Sequence, residues 1–213
     1  MSFFKKIAAI ATATVLTSSA AFAVTLDFTT GALPFSGTEF GGWTLTFVPN
    51  QPNANEAGPG LINLANGDTL AGTTDGVGII TDEFDGSALQ YAVLEFTDGR
   101  DVRLTNLYGL DLFSNDDATD QEEMRVTVGA APGSIDAFLQ ASSTAEPGFG
   151  DLKTNLIGNM FTFWAGEGND GLGEPDFALA GVTVAPIPLP ASALLLLGAV
   201  GGLGVMRRRT KRA

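Results

Sequence analysis

The sequence predicts an all-β protein: an antiparallel β-sandwich or jelly roll, flanked by an N-terminal signal peptide and a C-terminal transmembrane helix. Three observations predict it. Many short runs alternate apolar and polar residues with a period of two, as half-buried strands require. Clusters of Gly, Pro, Asn and Asp separate those runs at the spacing of an all-β domain. No stretch between the two ends carries a 3.6-residue apolar period.

The first element, residues 1–23, opens with Lys5 and Lys6 and continues with an apolar run from Ile7 to Leu16. Ala21-Phe22-Ala23 then fits the small-x-small site read by signal peptidase, which sets cleavage after Ala23. The Sec translocon and signal peptidase are the partners expected of such a segment.

The body, residues 24–185, divides into predicted strands. They are VTLDF (24–28), WTLTFV (43–48), VGIIT (77–81), LQYAVLEF (89–96), VRLTNL (102–107) and LDLF (110–113). MRVTV (124–128), IDAFLQA (135–141), MFTFW (160–164) and FALAGVTV (177–184) complete the set. In the second run Trp43, Leu45 and Phe47 share one face, and Thr44 and Thr46 the other. Trp43 therefore reads as core. Trp164 breaks the parity of Phe161 and Phe163, so it points outward and is the better carbohydrate-stacking candidate. A body of about 160 residues buries roughly 70% of its unfolded surface, enough for one core without staples.

The chain has 213 residues and a net charge of −13, but the charge is unevenly spread. All 24 acidic residues lie in the body, where only Arg100, Arg103, Arg125 and Lys153 are basic, so that segment carries 4 − 24 = −20. Such a body repels nucleic acid, which is excluded as a partner. There is no Cys, so neither disulfides nor a lipid-modified thiol is available. There is no His either, which removes Ser-His-Asp and Cys-His catalysis. No G-x-S-x-G, P-loop or zinc spacing occurs. Carboxylate pairs alone do not define a glycosidase site among so many acidic residues, so no enzymatic activity is expected.

No cofactor is required by this sequence; the candidate its acidic loops raise is calcium. Asp116, Asp117, Asp120, Glu122 and Glu123 put a dense set of oxygens in a loop before a strand, and Asp82, Glu83 and Asp85 form a smaller set. Calcium takes six to eight oxygen ligands of this kind. Gly166-Glu167-Gly168-Asn169-Asp170-Gly171-Leu172 resembles one glycine-rich calcium nonapeptide of the RTX kind. One repeat cannot build the stacked turns that such sites need. Acidic loops on sandwiches are otherwise solvated faces.

The last element, residues 186–213, has three parts. Pro186, Pro188 and Pro190 hold an extended spacer, because proline fixes its own φ and restricts its predecessor. Ala191 to Met206 is an uncharged span of 16 residues. As a helix it reaches about 24 Å, short of the roughly 30 Å hydrocarbon core. Arg207, Arg208, Arg209, Lys211 and Arg212 then form a basic stop in the tail 207–213, which stays on the cytoplasmic side.

Ile187-Pro188-Leu189-Pro190-Ala191, the apolar span and the arginine cluster together resemble the VPLPA-CTERM sorting signal, a variant of the PEP-CTERM tail of Gram-negative bacteria. The family motif begins with valine, where this chain has Ile187. The resemblance implies recognition by an exosortase, a membrane-embedded cysteine transpeptidase-like enzyme that cleaves near the motif. A sortase signal of the Leu-Pro-x-Thr-Gly type fits less well, since Ser192 and Ala193 fill its last two positions. In the body, Gly76-Val77-Gly78, Asp82-Glu83-Phe84-Asp85-Gly86, Leu94-Glu95-Phe96 and Val102-Arg103-Leu104 resemble a pattern common in cargo domains that bear such tails. That likeness implies a β-sandwich and no defined activity. The expectation is an exported surface or extracellular-matrix protein, held transiently in the inner membrane and structural or adhesive in exopolysaccharide and biofilm. The alternative is a membrane-anchored carbohydrate- or calcium-binding lectin-like module.

Overall fold

The computed structural model describes residues 22–33, 35–54, 57–80, 83–86, 89–114, 121–141, 147–166, 176–188, 195–196 and 199. Its architecture is all-β and its strand pairings are antiparallel. Strands are numbered in chain order. One sheet joins β1 (Val24–Asp27), β14 (Ala178–Pro186), β9 (Val102–Leu110) and β12 (Gly150–Gly158), in that order. A second has the order β11 (Ala137–Gln140), β10 (Glu123–Val128), β13 (Met160–Ala165), β8 (Tyr91–Phe96), β3 (Trp43–Val48) and β2 (Ser36–Gly37). Two short ribbons pair β4 (Pro52–Asn53) with β7 (Gly78–Ile79), and β5 (Ile62–Asn63) with β6 (Thr69–Leu70).

Alternation decides which side chains are buried. In β3, Trp43, Leu45 and Phe47 are buried, whereas Thr46 and Val48 are exposed. In β10, Met124 and Val126 are fully buried between half-buried Glu123 and Arg125. One apolar cluster takes Leu26, Leu104, Leu107, Val182 and Val184 from the four-stranded sheet and Leu45, Phe47, Leu94, Phe96, Phe161 and Phe163 from the six-stranded sheet. Each such side chain contributes about 1.5–3 kcal/mol on burial. Phe84 and Phe177, from the connections, close one end of this core. Their rings stack at 5.0 Å, and Phe47 stacks on Phe84 at 6.2 Å. The Phe84 N–H donates to the Phe177 carbonyl at 2.7 Å, so backbone and rings hold the same pair together.

A second cluster covers the other face of the four-stranded sheet. Leu64, Leu70, Tyr108, Leu110, Ala178 and Ala180 pack there under the β5–β6 hairpin. β14 is therefore buried on both faces from Ala178 to Val184, and its sequence reads as a continuous apolar run rather than an alternating one.

Several sequence expectations change. The run 110–113 is no separate strand: Leu110 ends β9, and Asp111 takes a positive φ of 53° that turns the chain away. The run 77–81 shrinks to β7, with Val77 bridged to Leu179 and Ile80 at φ 69°. The run 89–96 starts at Tyr91, because Leu89 also has positive φ. β12 is a strand the runs above omit. It alternates Leu152, Thr154 and Leu156 with Asp151, Lys153 and Asn155, and a bulge between Lys153 and Leu156 breaks its pairing with β9. Its Gly, Asp, Asn and Lys content is poor in strand formers, which hides the alternation. β14 extends through Ala185 to Pro186, so the sheet reaches into the expected proline spacer.

Candidate sorting pole

Ala23 and Ile187, which border the two predicted processing sites, lie at one end of the four-stranded sheet. β1 runs antiparallel to β14 with Val24 opposite Val184, Thr25 opposite Thr183 and Leu26 opposite Val182. The start of β1 therefore lies beside the end of β14. Ala23, just before the predicted cut, is exposed next to the strand from which Ile187 and Pro188 emerge. Ile187 and Pro188 are likewise exposed. β14 is paired on both sides, to β1 and to β9, and its last residue Pro186 sits opposite Val102. The motif thus begins at the last rung of a firmly held strand.

A chain of hydroxyls ties the pole together. The Thr25 hydroxyl donates to Asp68 Oδ2 at 2.6 Å and lies 2.9 Å from the Thr183 hydroxyl. Thr183 Oγ1 is in turn 3.0 Å from the Tyr108 hydroxyl, and the Thr183 carbonyl accepts from Thr105 Oγ1 at 3.1 Å. Asn66 Nδ2 donates to the same Asp68 oxygen at 3.0 Å. Burial raises the Tyr108 phenol above its ordinary pKa; the hydrogen bond to Thr183 opposes this, and the charges of Asp68 and Asp151 add to it. At the far end of β1, the Asp27 carboxylate accepts from the Thr29 N–H at 2.8 Å and the Ala71 N–H at 2.7 Å. β1 is short, and these polar contacts lock it to the hairpin. A hollow of about 480 Å³ lined by Ala23, Val24, Thr25, Gly67, Asp68 and Thr69 lies beside the start of β1.

The remaining predicted site residues fall into two groups. Ala21, Leu189, Pro190, Ala191, Arg207, Arg208, Arg209, Lys211 and Arg212 lie outside the described residues, as do Asp116, Asp117, Asp120 and Asp82. Of the span 191–206, Leu195, Leu196 and Ala199 are described and helical. Among the described residues no helix is long and apolar enough to cross a membrane. Glu122 is buried, and its Oε2 accepts the Phe113 N–H at 2.7 Å while its backbone N–H donates to the Phe113 carbonyl at 3.0 Å. These two bonds tie the chain before β10 to the segment that follows β9. Glu123 pairs with Arg125 on the sheet. Among the described residues no group of three or more acidic side chains is placed to hold a metal ion.

The tryptophans behave as their parity predicts. Trp43 is core, with its indole N–H donating to Glu39 Oε2 at 2.8 Å. Trp164 stands on the outward face with the Arg125 guanidinium 5.1 Å from its ring centroid. The polar contacts of Thr183, Tyr108 and Asp68 carry no motif signal, because they depend on the register of β1, β9 and β14. Compared with known proteins, the chain matches no family model, no curated protein and no solved structure.

Proposed function

We propose that this chain is an exported bacterial surface or extracellular-matrix protein, structural or adhesive in exopolysaccharide, whose body is delivered by a C-terminal exosortase-type sorting signal. The body is read as a β-sandwich, supported by two antiparallel sheets that contribute to one apolar cluster. The single observation that carries the delivery reading is the shared pole. Val24 pairs with Val184, so Ala23 and Ile187 leave the domain side by side, which supports reading them as the flanks of two processing sites. A protein inserted in one membrane by both ends, then released in two cuts, needs its ends on one side. The basic residues 207–213 and the short span 191–206 supply a temporary stop-transfer segment. The Sec translocon and signal peptidase act first, and an exosortase-like enzyme in the inner membrane acts second.

The experiment is a mass measurement of the mature protein from cells with and without the sorting enzyme. Pro188→Ala combined with Pro190→Ala is expected to block the second cut while the body stays folded. A folded, efficiently processed double variant contradicts the role given to the motif. A second reading, a carbohydrate-binding module, is favoured by the outward Trp164 under Arg125. The two readings are compatible, since delivery and adhesion use different surfaces.

A further inference from the structure

We propose that the outward face of the six-stranded sheet binds a neutral, extended polysaccharide along a single row of side chains. This rests on reading the body as an exopolysaccharide partner and names the surface that makes the contact. The row is a product of register. Phe138 of β11 is opposite Arg125 of β10, and Arg125 is opposite Trp164 of β13. Trp164 is opposite Tyr91 of β8, and Tyr91 is opposite Val48 of β3. Five neighbouring strands therefore align five side chains across the sheet, spaced by about 4.8 Å per strand. Their chain neighbours Met124, Phe163, Ala92 and Phe47 belong to the core, so the row faces away from it. Phe138 is 49% exposed and Val48 41%, while Trp164 and Tyr91 are half-buried. Glu123 holds Arg125, whose guanidinium stands over the Trp164 ring.

The chemistry of the row selects its occupant. Phe138 and Tyr91, with the Arg125 guanidinium layered on the Trp164 indole between them, offer flat polarisable faces to the C–H faces of sugar rings. Glu123 and Gln140, opposite each other in the next register, and exposed Thr46 supply partners for sugar hydroxyls. The strand spacing is close to the advance of one sugar ring along an extended glycan, so successive strands meet successive rings. A second copy of the chain fits poorly. The row is one side chain wide, and on one side the 129–134 loop is fastened to Thr127 through Gly133 N–H at 3.2 Å and the Ser134 carbonyl at 2.9 Å. Bodies of charge −20 also repel each other and any polyanionic glycan.

Native electrophoresis of the full chain, in a detergent without a sugar headgroup, through gels cast with hydroxyethyl cellulose or alginate tests this. Retardation by hydroxyethyl cellulose and none by alginate is expected. Phe138→Ala and Tyr91→Ala each weaken binding about fivefold and Trp164→Ala about tenfold. The thermal midpoint of Phe138→Ala stays unchanged, which separates lost contact from lost fold. No retardation by hydroxyethyl cellulose, equal or greater retardation by alginate, or equal retardation of wild type and all three variants would overturn the proposal. A dimer that these variants dissociate would do the same. None of these outcomes bears on the sorting reading, which is decided by the mass of the processed C-terminus.

Discussion

At the scale of single residues, two groups couple the fold to pH in opposite directions. Glu39 accepts its own backbone N–H and the Trp43 indole N–H, which together hold its pKa below the ordinary 4.5. Its folded value lies below its unfolded value, so its stabilisation is complete above about pH 4.5 and is lost as pH falls through the folded value. Acidification is therefore expected to change the near-ultraviolet circular dichroism of Trp43 as the indole loses its charged acceptor. Glu39→Gln keeps an acceptor but no charge, and should abolish that transition. A wild-type signal that stays flat down to global unfolding would contradict this role. Tyr108 works the other way. Burial raises its pKa above 10.0, so its contribution is intact below that value and is lost as pH rises through the folded one. In a Tyr91→Phe background, phenolate absorbance should appear only above pH 10 and together with loss of the sheet. Ionisation at pH 10 with the sheet intact would remove Tyr108 from the hydroxyl chain that joins β9 to Thr183.

At the scale of elements, stability is concentrated where connections enter the core. Phe84 lies between Phe47 and Phe177 with no solvent exposure. Phe84→Ala is expected to cost about 3–5 kcal/mol in denaturant unfolding, the usual loss for a fully buried phenylalanine. The β5–β6 hairpin is anchored differently. Gly72 has φ 58°, and a Cβ there would run into the Gly60 carbonyl. Gly72→Ala should destabilise by at least about 1 kcal/mol and expose 60–72 to limited proteolysis before the rest of the body. The same elements explain what the sequence disclosed. β3, β10 and β13 alternate cleanly, so Trp43 and Trp164 could be assigned to faces without a structure. β12 escaped because Asp151, Lys153 and Asn155 mask its period and a bulge interrupts its pairing. The 110–113 run misled because an apolar segment at a positive-φ turn has the composition of a strand. Register lies beyond any periodicity, since it is fixed by side chains packing between strands far apart in sequence. For that reason neither the shared pole nor the row from Phe138 to Val48 was legible.

At the scale of the whole molecule, the sheet order gives the domain a polarity. Both ends leave at the β1–β14 pole, where Val24 meets Val184, while the longest edge strand, β12, lies at the opposite side of the same sheet. That edge is protected against strand addition by its bulge and by exposed Asp151 and Lys153. Under the proposed function, the acidic charge and the protected edge are expected to keep released bodies from associating with one another. β14 is one of the two inner strands of this sheet and ends at Pro186, so under the proposed function the sheet is expected to close only after residue 186 has crossed the membrane. The proposed second cut is then expected beyond Pro186, the last residue of β14. The most direct test is the intact mass of the extracellular protein from a host that carries the sorting enzyme. A body beginning at Val24 and ending beyond Pro186, without the basic residues 207–213, is the predicted result. A mature chain that still carries Arg207 to Ala213 would contradict it.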